Sequence, residues 1–112
     1  MNISATCVRV PVERAHWLAI TIETRKSVKA HAVQDLLRET SGLTVLDDPS
    51  MDVYPMPMTA TGRLDVQVGR IRQSLVFKDK GIDLFVCGDQ ILRGQALNAV
   101  KIAHRVLNEQ QG

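Results

Sequence analysis

The stretch VQVGRIRQSLVFKDKGIDLFVC, residues 66–87, contains two apolar runs, 66–77 and 82–87, on either side of the tetrapeptide KDKG at 78–81. A short polar segment that ends in glycine is typical of a hairpin turn, because glycine accepts a positive φ without a steric penalty. The stretch therefore predicts an antiparallel pair of strands joined by a turn at 78–81.

Two further strands are predicted upstream of this hairpin. Apolar and polar side chains alternate along residues 17–24, which is the pattern of a half-buried strand. One face carries Leu18, Ile20 and Ile22, and the other carries Trp17, Ala19, Thr21 and Glu23. A short strand is predicted at 43–46, before a segment at 50–62 whose prolines and glycine argue against regular structure.

Two helices complete the predicted elements. Residues 27–40 follow the 3.6-residue period, with Ser27 as the amino-terminal cap and Gly42 just past the end. Residues 95–108 form a terminal amphipathic helix whose stripe is Leu97, Val100, Ala103 and Leu107. These elements predict an α+β fold with a mixed or antiparallel sheet and helices on one face. The face with Trp17, Ala19 and Thr21 is then left exposed, and such a face usually meets another protein surface.

Composition limits the function classes. The 112 residues are 45% hydrophobic and 23% charged, which suits one domain with a modest core. A net charge of +2 and 4% aromatic residues give no footprint for nucleic acid. No apolar run is long enough to cross a bilayer, so we expect a cytosolic protein. Cys7 and Cys87 are interpreted as buried free thiols, and no metal site is predicted because neither has a second ligand at metal-binding spacing.

The most function-like stretch is CVRVPVERAH, residues 7–16. Residues 3–12 are predicted to form a strand that ends near Pro11, because proline cannot donate to a ladder. Arg9 offers a planar fork for a carboxylate, and His16 can exchange protons near neutral pH. An extended chain would hold the two about 23 Å apart, so one shared site requires a turn between Pro11 and Ala15. The alternatives are a strand-end ion pair, with Glu13 as partner, and a surface or capping histidine.

Four blocks in the sequence resemble aspartate-semialdehyde dehydrogenases. The segment 3–16 resembles that family's substrate-binding segment, and YPMP at 54–57, GRIR at 69–72, CGDQ at 87–90 and ALNAV at 96–100 follow in the family's order. The resemblance implies that Arg9 holds the substrate carboxylate, that His16 is the acid/base partner of a catalytic cysteine, and that Gln90 contacts the nicotinamide of NADP. Glu13, Leu92 and Gln95 depart from the family pattern, but none of them replaces one of these three residues.

The resemblance also implies parts that these residues do not include. No glycine-rich phosphate loop follows a first strand, and neither cysteine lies in a nucleophile setting, since Cys7 matches the family's non-catalytic cysteine. We therefore interpret 1–112 as the carboxy-terminal, substrate-binding and dimerisation part of such an enzyme, without its dinucleotide-binding domain. By itself this part is expected to be inactive and to bind no cofactor.

Two alternatives stay open at this point. The first is a non-catalytic module that forms a homodimer through the exposed sheet face. The second is part of a related acyl-phosphate reductase that acts on a different substrate. In the main interpretation the parent enzyme reductively dephosphorylates β-aspartyl phosphate with NADPH, in the synthesis of lysine, threonine and methionine.

Overall fold

The computed structural model describes residues 1–109, which contain one four-stranded mixed sheet. The strands are β1 (His16–Glu23), β2 (Leu43–Val45), β3 (Val66–Ser74) and β4 (Lys78–Gly88), and the helices are α1 (Ala30–Glu39), α2 (Pro57–Ala60) and α3 (Asn98–Glu109). The sheet order is β1-β4-β3-β2, with β4 antiparallel to both β1 and β3 and with β2 parallel to β3. The predicted α+β class with a mixed sheet is confirmed.

The hairpin between β3 and β4 is confirmed, but its predicted turn at 78–81 is wrong. Ser74 pairs with Lys78, so the loop is 75–77 and Lys78 takes the positive φ of 51°. A three-residue loop followed by a left-handed residue is a common hairpin geometry. Gly81 lies inside β4 opposite Glu23. A Cβ atom at position 81 would lie only 2.5 Å from the Phe77 Cβ, so a larger residue does not fit there without a shift.

The main apolar core lies between α1 and one face of the sheet. Its buried residues are Val68, Ile82 and Leu84, and Ile20, Val33 and Leu37 are among the side chains that pack against them. Of the predicted apolar face of β1, only Ile20 packs against this core, whereas Leu18 and Ile22 are exposed. The helix packs because its apolar stripe recurs every three to four residues and matches the alternate residues of the strands.

The predicted start of α1 at Ser27 is wrong. The helix begins at Ala30, and the hydroxyl of Ser27 donates to the Asp79 carboxylate at 2.6 Å instead of capping the helix. The Val28 amide also donates to the Asp79 carbonyl at 2.8 Å. Contacts with the start of β4 therefore keep the connection between β1 and α1 extended for two residues beyond the predicted start of the helix.

The predicted strand at 3–12 is also wrong. Residues 1–15 form no strand, and Ile3 and Val8 are exposed. A strand is stable only with a partner for its backbone groups, and none of the described strands pairs with this segment. The segment 50–62 was predicted without regular structure, but a 3₁₀ turn at Pro49–Met51 and the short helix α2 lie there. Pro49 and Pro57 open these helical turns, which is the position where proline is tolerated.

The terminal helix is confirmed, although its start differs from the predicted residue 95. A π-helical segment, Gln90–Leu97, leads directly into α3. Asp89 caps that segment by accepting from the amides of Ile91 and Leu92, so helical structure begins five residues early. None of the helices in residues 1–109 is both long and apolar enough to span a membrane.

Candidate functional site

The candidate site lies where β1 begins beside the end of β4. His16 is the first residue of β1 and pairs with Gly88, the last residue of β4. Asp89 and Gln90 follow at once, and the π-helical segment starts there. Antiparallel pairing thus brings the predicted acid/base residue and the predicted nicotinamide contact to one end of the sheet.

Gln90 is bound to the residue before His16. Its Oε1 atom accepts a hydrogen bond from the Ala15 amide at 2.8 Å, between residues 75 apart in sequence. In the described part of the chain, no hydrogen bond is made by the Gln90 side-chain nitrogen. This amide can therefore still donate to a ligand.

Asp89 carries the buried charge of the site. The side chain is fully buried, and it accepts from the Gly62 amide at 2.8 Å and from the Ile91 and Leu92 amides at 2.9 Å. Burial by itself raises the pKa of a carboxyl group, but these amide hydrogen bonds outweigh that effect. The pKa of Asp89 is consequently held well below its usual range, and the group is an anion at neutral pH.

Arg14 provides the counter-ion. Its Nε atom lies 2.8 Å from Oδ2 of Asp89, in a close ion contact without hydrogen-bond alignment. The arginine is one-third exposed, whereas its partner is not exposed at all. Neither Arg14 nor Asp89 is among the site residues predicted from the sequence. An aspartate directly between a strand and a predicted helical segment is a capping signal, and that signal could have identified Asp89.

The chain turns between Pro11 and Ala15, which is where a site shared by Arg9 and His16 would require a turn. The Val12 amide donates to the Val10 carbonyl at 2.9 Å, and Ala15 adopts a φ of 75° although it is not glycine. Ala15 is only 1% exposed and packs with Ala60 and Cys87. A non-glycine residue in the left-handed region is uncommon, so the surrounding contacts must hold this conformation.

Arg9 does not join this site in the structure. It lies in the exposed segment before the turn, and within residues 1–109 it makes no ion pair, including with Glu13. His16 and Gln90 are thus brought to one end of the sheet without Arg9. Across the same residues, no three metal-ligating side chains lie close enough together to hold an ion.

The two cysteines differ from each other. Cys87 is buried as predicted, whereas the prediction for Cys7 is wrong because its side chain is exposed. Burial raises the pKa of the Cys87 thiol from 9.0 to about 11. A nucleophilic cysteine needs the opposite shift, so Cys87 is a structural thiol.

We expect this difference to appear in alkylation with iodoacetamide at pH 8. Cys7 should react completely before Cys87 reacts to a measurable extent, because Cys87 is both shielded and protonated. Mass spectrometry after digestion reports each site, and both should react equally in denaturant. The folded state favours the protonated form of the Cys87 thiol. The stability that this thiol contributes is therefore fully present below pH 9 and is lost as the pH rises toward about 11. Equal alkylation rates for Cys7 and Cys87 in the folded chain would contradict the interpretation of Cys87 as a buried structural thiol.

This chain is similar both to a family model and to single known proteins. The family model described as semialdehyde dehydrogenase, dimerisation domain, matches residues 1–93. The aspartate-semialdehyde dehydrogenases of Prochlorococcus marinus and Aquifex aeolicus are 47% and 41% identical over 96% and 97% of this chain. The chain spans 31% and 32% of their length, so both relatives are much longer.

Solved structures resemble the chain in the same way. Aspartate semialdehyde dehydrogenase II from Vibrio cholerae, solved in complex with ASA, matches with a TM-score of 0.84 at 36% identity. The match covers 92% of this chain and 30% of that one. The aspartate semialdehyde dehydrogenase from Francisella tularensis matches with a TM-score of 0.70 at 30% identity, over 83% of this chain and 28% of that one. The fold and the sequence are thus similar to one part of a longer enzyme.

Proposed function

This chain belongs to the semialdehyde dehydrogenase dimerisation domain family, and we propose that it is the carboxy-terminal, substrate-binding and dimerisation part of an aspartate-semialdehyde dehydrogenase. The observation that carries the proposal is its likeness to the Vibrio cholerae enzyme, which was solved in complex with ASA. The proposed enzyme reductively dephosphorylates β-aspartyl phosphate with NADPH, in amino-acid biosynthesis.

In this proposal His16 moves the proton of a catalytic thiol. The thiolate, on a cysteine outside these residues, attacks the acyl phosphate, and phosphate leaves as the thioester forms. When bound, NADPH would supply a hydride for the reduction of this thioester. His16, which holds the proton taken from the thiol, returns it to the hemithioacetal that reduction forms, so that its collapse releases the aldehyde and the neutral thiol. His16 is exposed at the start of β1, so its imidazole is open to a substrate.

Arg9 and Gln90 bind in this scheme. Arg9 pairs with the substrate carboxylate through its planar fork, and parts of the enzyme outside this chain order the exposed segment that carries it. Gln90 donates from its side-chain nitrogen to the nicotinamide carboxamide. The residues present fit only that end of NADPH, because no glycine-rich phosphate loop occurs in the sequence.

The proposal is tested with the full-length protein that contains this chain. We expect NADP-dependent, phosphate-dependent oxidation of aspartate semialdehyde, with the highest kcat/KM among semialdehydes of different length and charge. A preference for another semialdehyde would instead place the chain among related acyl-phosphate reductases. No activity with any semialdehyde would contradict both assignments.

Isolated from the rest of the enzyme, the chain is expected to bind no NADPH. Cofactor binding depends mainly on pyrophosphate held at a helix amino terminus, and the motif for that element is missing from this sequence. One hydrogen bond from Gln90, worth about 1 kcal/mol net, cannot offset the several kcal/mol of freedom lost on binding. Calorimetric titration should therefore give a flat response, whereas saturable micromolar binding would reveal a cofactor site in this chain.

A second candidate function is self-association without catalysis, through the outer face of the sheet, which we define by Trp17, Ala19, Thr21 and Phe85. Ala19 and Thr21 are exposed, Trp17 and Phe85 are half-buried, and Ala19 lies directly opposite Phe85. The short helix α2 packs at one end of this face, since Ala60 lies in one cluster with Trp17 and Phe85, whereas α1 packs on the other face and leaves Ala19 and Thr21 exposed. We propose that a second copy of the chain packs here, in the intact enzyme and in the module alike.

An Ala19→Arg variant is expected to convert the dimer to a monomer. A guanidinium at the centre of the outer face would be buried without a partner in the dimer, but would remain solvated in the monomer. Light scattering at several concentrations gives the mass. The matched control is Leu36→Arg, since Leu36 is exposed on α1 on the opposite side of the sheet. If the Ala19 and Leu36 variants have the same mass, the outer face is not the interface.

A further inference from the structure

We propose that Arg14, Ala15 and Asp89 are positioning residues that set the direction of His16, and that Gln90 joins them to the cofactor amide. This inference rests on the proposed function for the roles of His16 and Gln90. The contacts that carry it are independent of those roles. Three consecutive residues, 14–16, are each tied to one of three consecutive residues, 88–90.

The backbone conformation of Ala15 determines how the chain enters β1. A φ of 75° directs the chain sharply into β1, so the orientation of His16 depends on this one dihedral angle. Alanine adopts the left-handed region only where contacts stabilise it. If Ala15 relaxed to the usual negative φ, the side chain of His16 would point in a different direction.

Several contacts hold Ala15 in this conformation. Its amide donates to Oε1 of Gln90 at 2.8 Å, and its methyl group packs against Ala60 and Cys87. On one side, Arg14 is held by Asp89, and on the other, His16 pairs with Gly88. The strained residue is therefore fixed at its own amide and at both neighbours.

Asp89, the partner of Arg14, is itself held in place by hydrogen bonds. Asp89 cannot follow a movement of Arg14, because its buried carboxylate also accepts from the Gly62, Ile91 and Leu92 amides. These bonds connect the end of β4, the start of the π-helical segment and the loop after α2. Arg14 is thereby anchored to a point where three elements meet, and the turn before His16 is anchored with it.

Gln90 links Ala15 to the proposed cofactor contact. Its oxygen is used by Ala15, and the nitrogen of the same planar amide makes no hydrogen bond within residues 1–109. A cofactor amide that accepts a hydrogen bond from this nitrogen therefore binds the same Gln90 side chain that holds Ala15. The acid/base imidazole and the cofactor contact are thus placed relative to each other by a single side chain.

The test uses NMR spectroscopy on this chain. In Arg14→Met and in Gln90→Ala, we expect exchange of the Ala15 amide with solvent to accelerate about five- to tenfold, since its hydrogen bond is weakened or lost. The carbon chemical shifts of Ala15 should move away from values for a positive φ, and the ring signals of His16 should shift. Arg14→Lys keeps the cation, and Gln90→Glu keeps the acceptor oxygen, so both should largely restore the signals.

Ile82→Val is the matched control, because it loosens the other core cluster without touching residues 14–16. It should lower the unfolding midpoint and leave the Ala15 and His16 signals unchanged. Unchanged signals in Arg14→Met and Gln90→Ala, or the same changes in the control, would overturn the proposal. If Arg14→Met does not fold, the comparison of Gln90→Ala with Gln90→Glu decides.

A kinetic experiment on the full-length enzyme separates this inference from the proposed function. Arg14→Met should lower kcat, change the KM of the semialdehyde little and shift the pH profile of kcat/KM, whereas Gln90→Glu should raise the KM of NADP. If the unmodified enzyme does not oxidise semialdehydes, the proposed function fails and the NMR result still decides the positioning. If the enzyme is active and Arg14→Met keeps its kcat and pH profile, the positioning role is wrong.

Discussion

Changing His16 to alanine in the full-length enzyme is expected to lower kcat by about 10²- to 10⁴-fold, which is the usual contribution of a positioned acid/base group. The KM of the semialdehyde should change little, because the proposed role of His16 is in proton transfer and Arg9 holds the carboxylate. The fold should be preserved, since His16 is exposed and its contribution to β1 is through the backbone.

The measurement is steady-state kinetics across pH, with the unfolding midpoint recorded in parallel. His31→Ala is the matched control, because His31 is an exposed histidine on α1 and should keep full turnover. Near-normal turnover in His16→Ala would remove this residue from the proposed mechanism.

Changing Gly69 to alanine is expected to destabilise the chain by about 3 kcal/mol or more, at the upper end of overpacking effects. Gly69 is buried in β3, and an added Cβ would lie 1.9 Å from the Leu46 carbonyl oxygen and 2.5 Å from Cδ of Pro55. Both neighbours belong to the backbone or to a ring, so neither can rotate away. The segment after β2 would have to separate from β3, and a hydrogen bond between Leu46 and Val68 would be strained.

Urea denaturation gives the free energy of unfolding for this comparison. The control is Gly88→Ala at the end of the adjacent strand β4, where an added Cβ meets only Cγ2 of Val66 at 3.6 Å. That distance is an ordinary contact, so the control should stay within about 0.5 kcal/mol of the unmodified chain. A Gly69→Ala variant as stable as this control would show that Leu46 and Pro55 can move apart from β3 at little cost.

The sheet could be predicted from the sequence because each strand carries its own periodicity. Alternation along β1 and the apolar runs of β3 and β4 are local signals, and they were sufficient for the strands and the hairpin. The turn was misplaced because two local signals competed. Gly81 looked like the turn residue, but its missing side chain serves the close approach of Phe77 and Ser74. The hydroxyl of Ser74 accepts from the Val76 amide and takes part in the real turn.

The amino-terminal segment shows a different limit. Residues 3–12 have the composition of a strand, but a strand also needs a partner, and composition contains no information about whether one is available. Arg9 could therefore be selected from its chemistry and not placed beside His16. The bulge in β3 is a similar case, because the Asp47 carboxylate accepts from the amides of Arg70 and Ile71 and gives Arg70 a positive φ. Asp47 lies 23 and 24 residues away from Arg70 and Ile71 in the sequence.

By itself, the sequence determined the α+β class, the strands β1, β3 and β4 and the helix α1, and it selected three candidate site residues whose roles stay predictions. Only the tertiary structure decided that Gln90 holds Ala15, that Arg14 neutralises Asp89, and that His16 starts its strand beside Gly88. The physical reason is the range of the interactions. Periodicity and capping act within a few residues of the chain, whereas the contacts that aim His16 join residues about 75 positions apart and exist only once β1 has paired with β4.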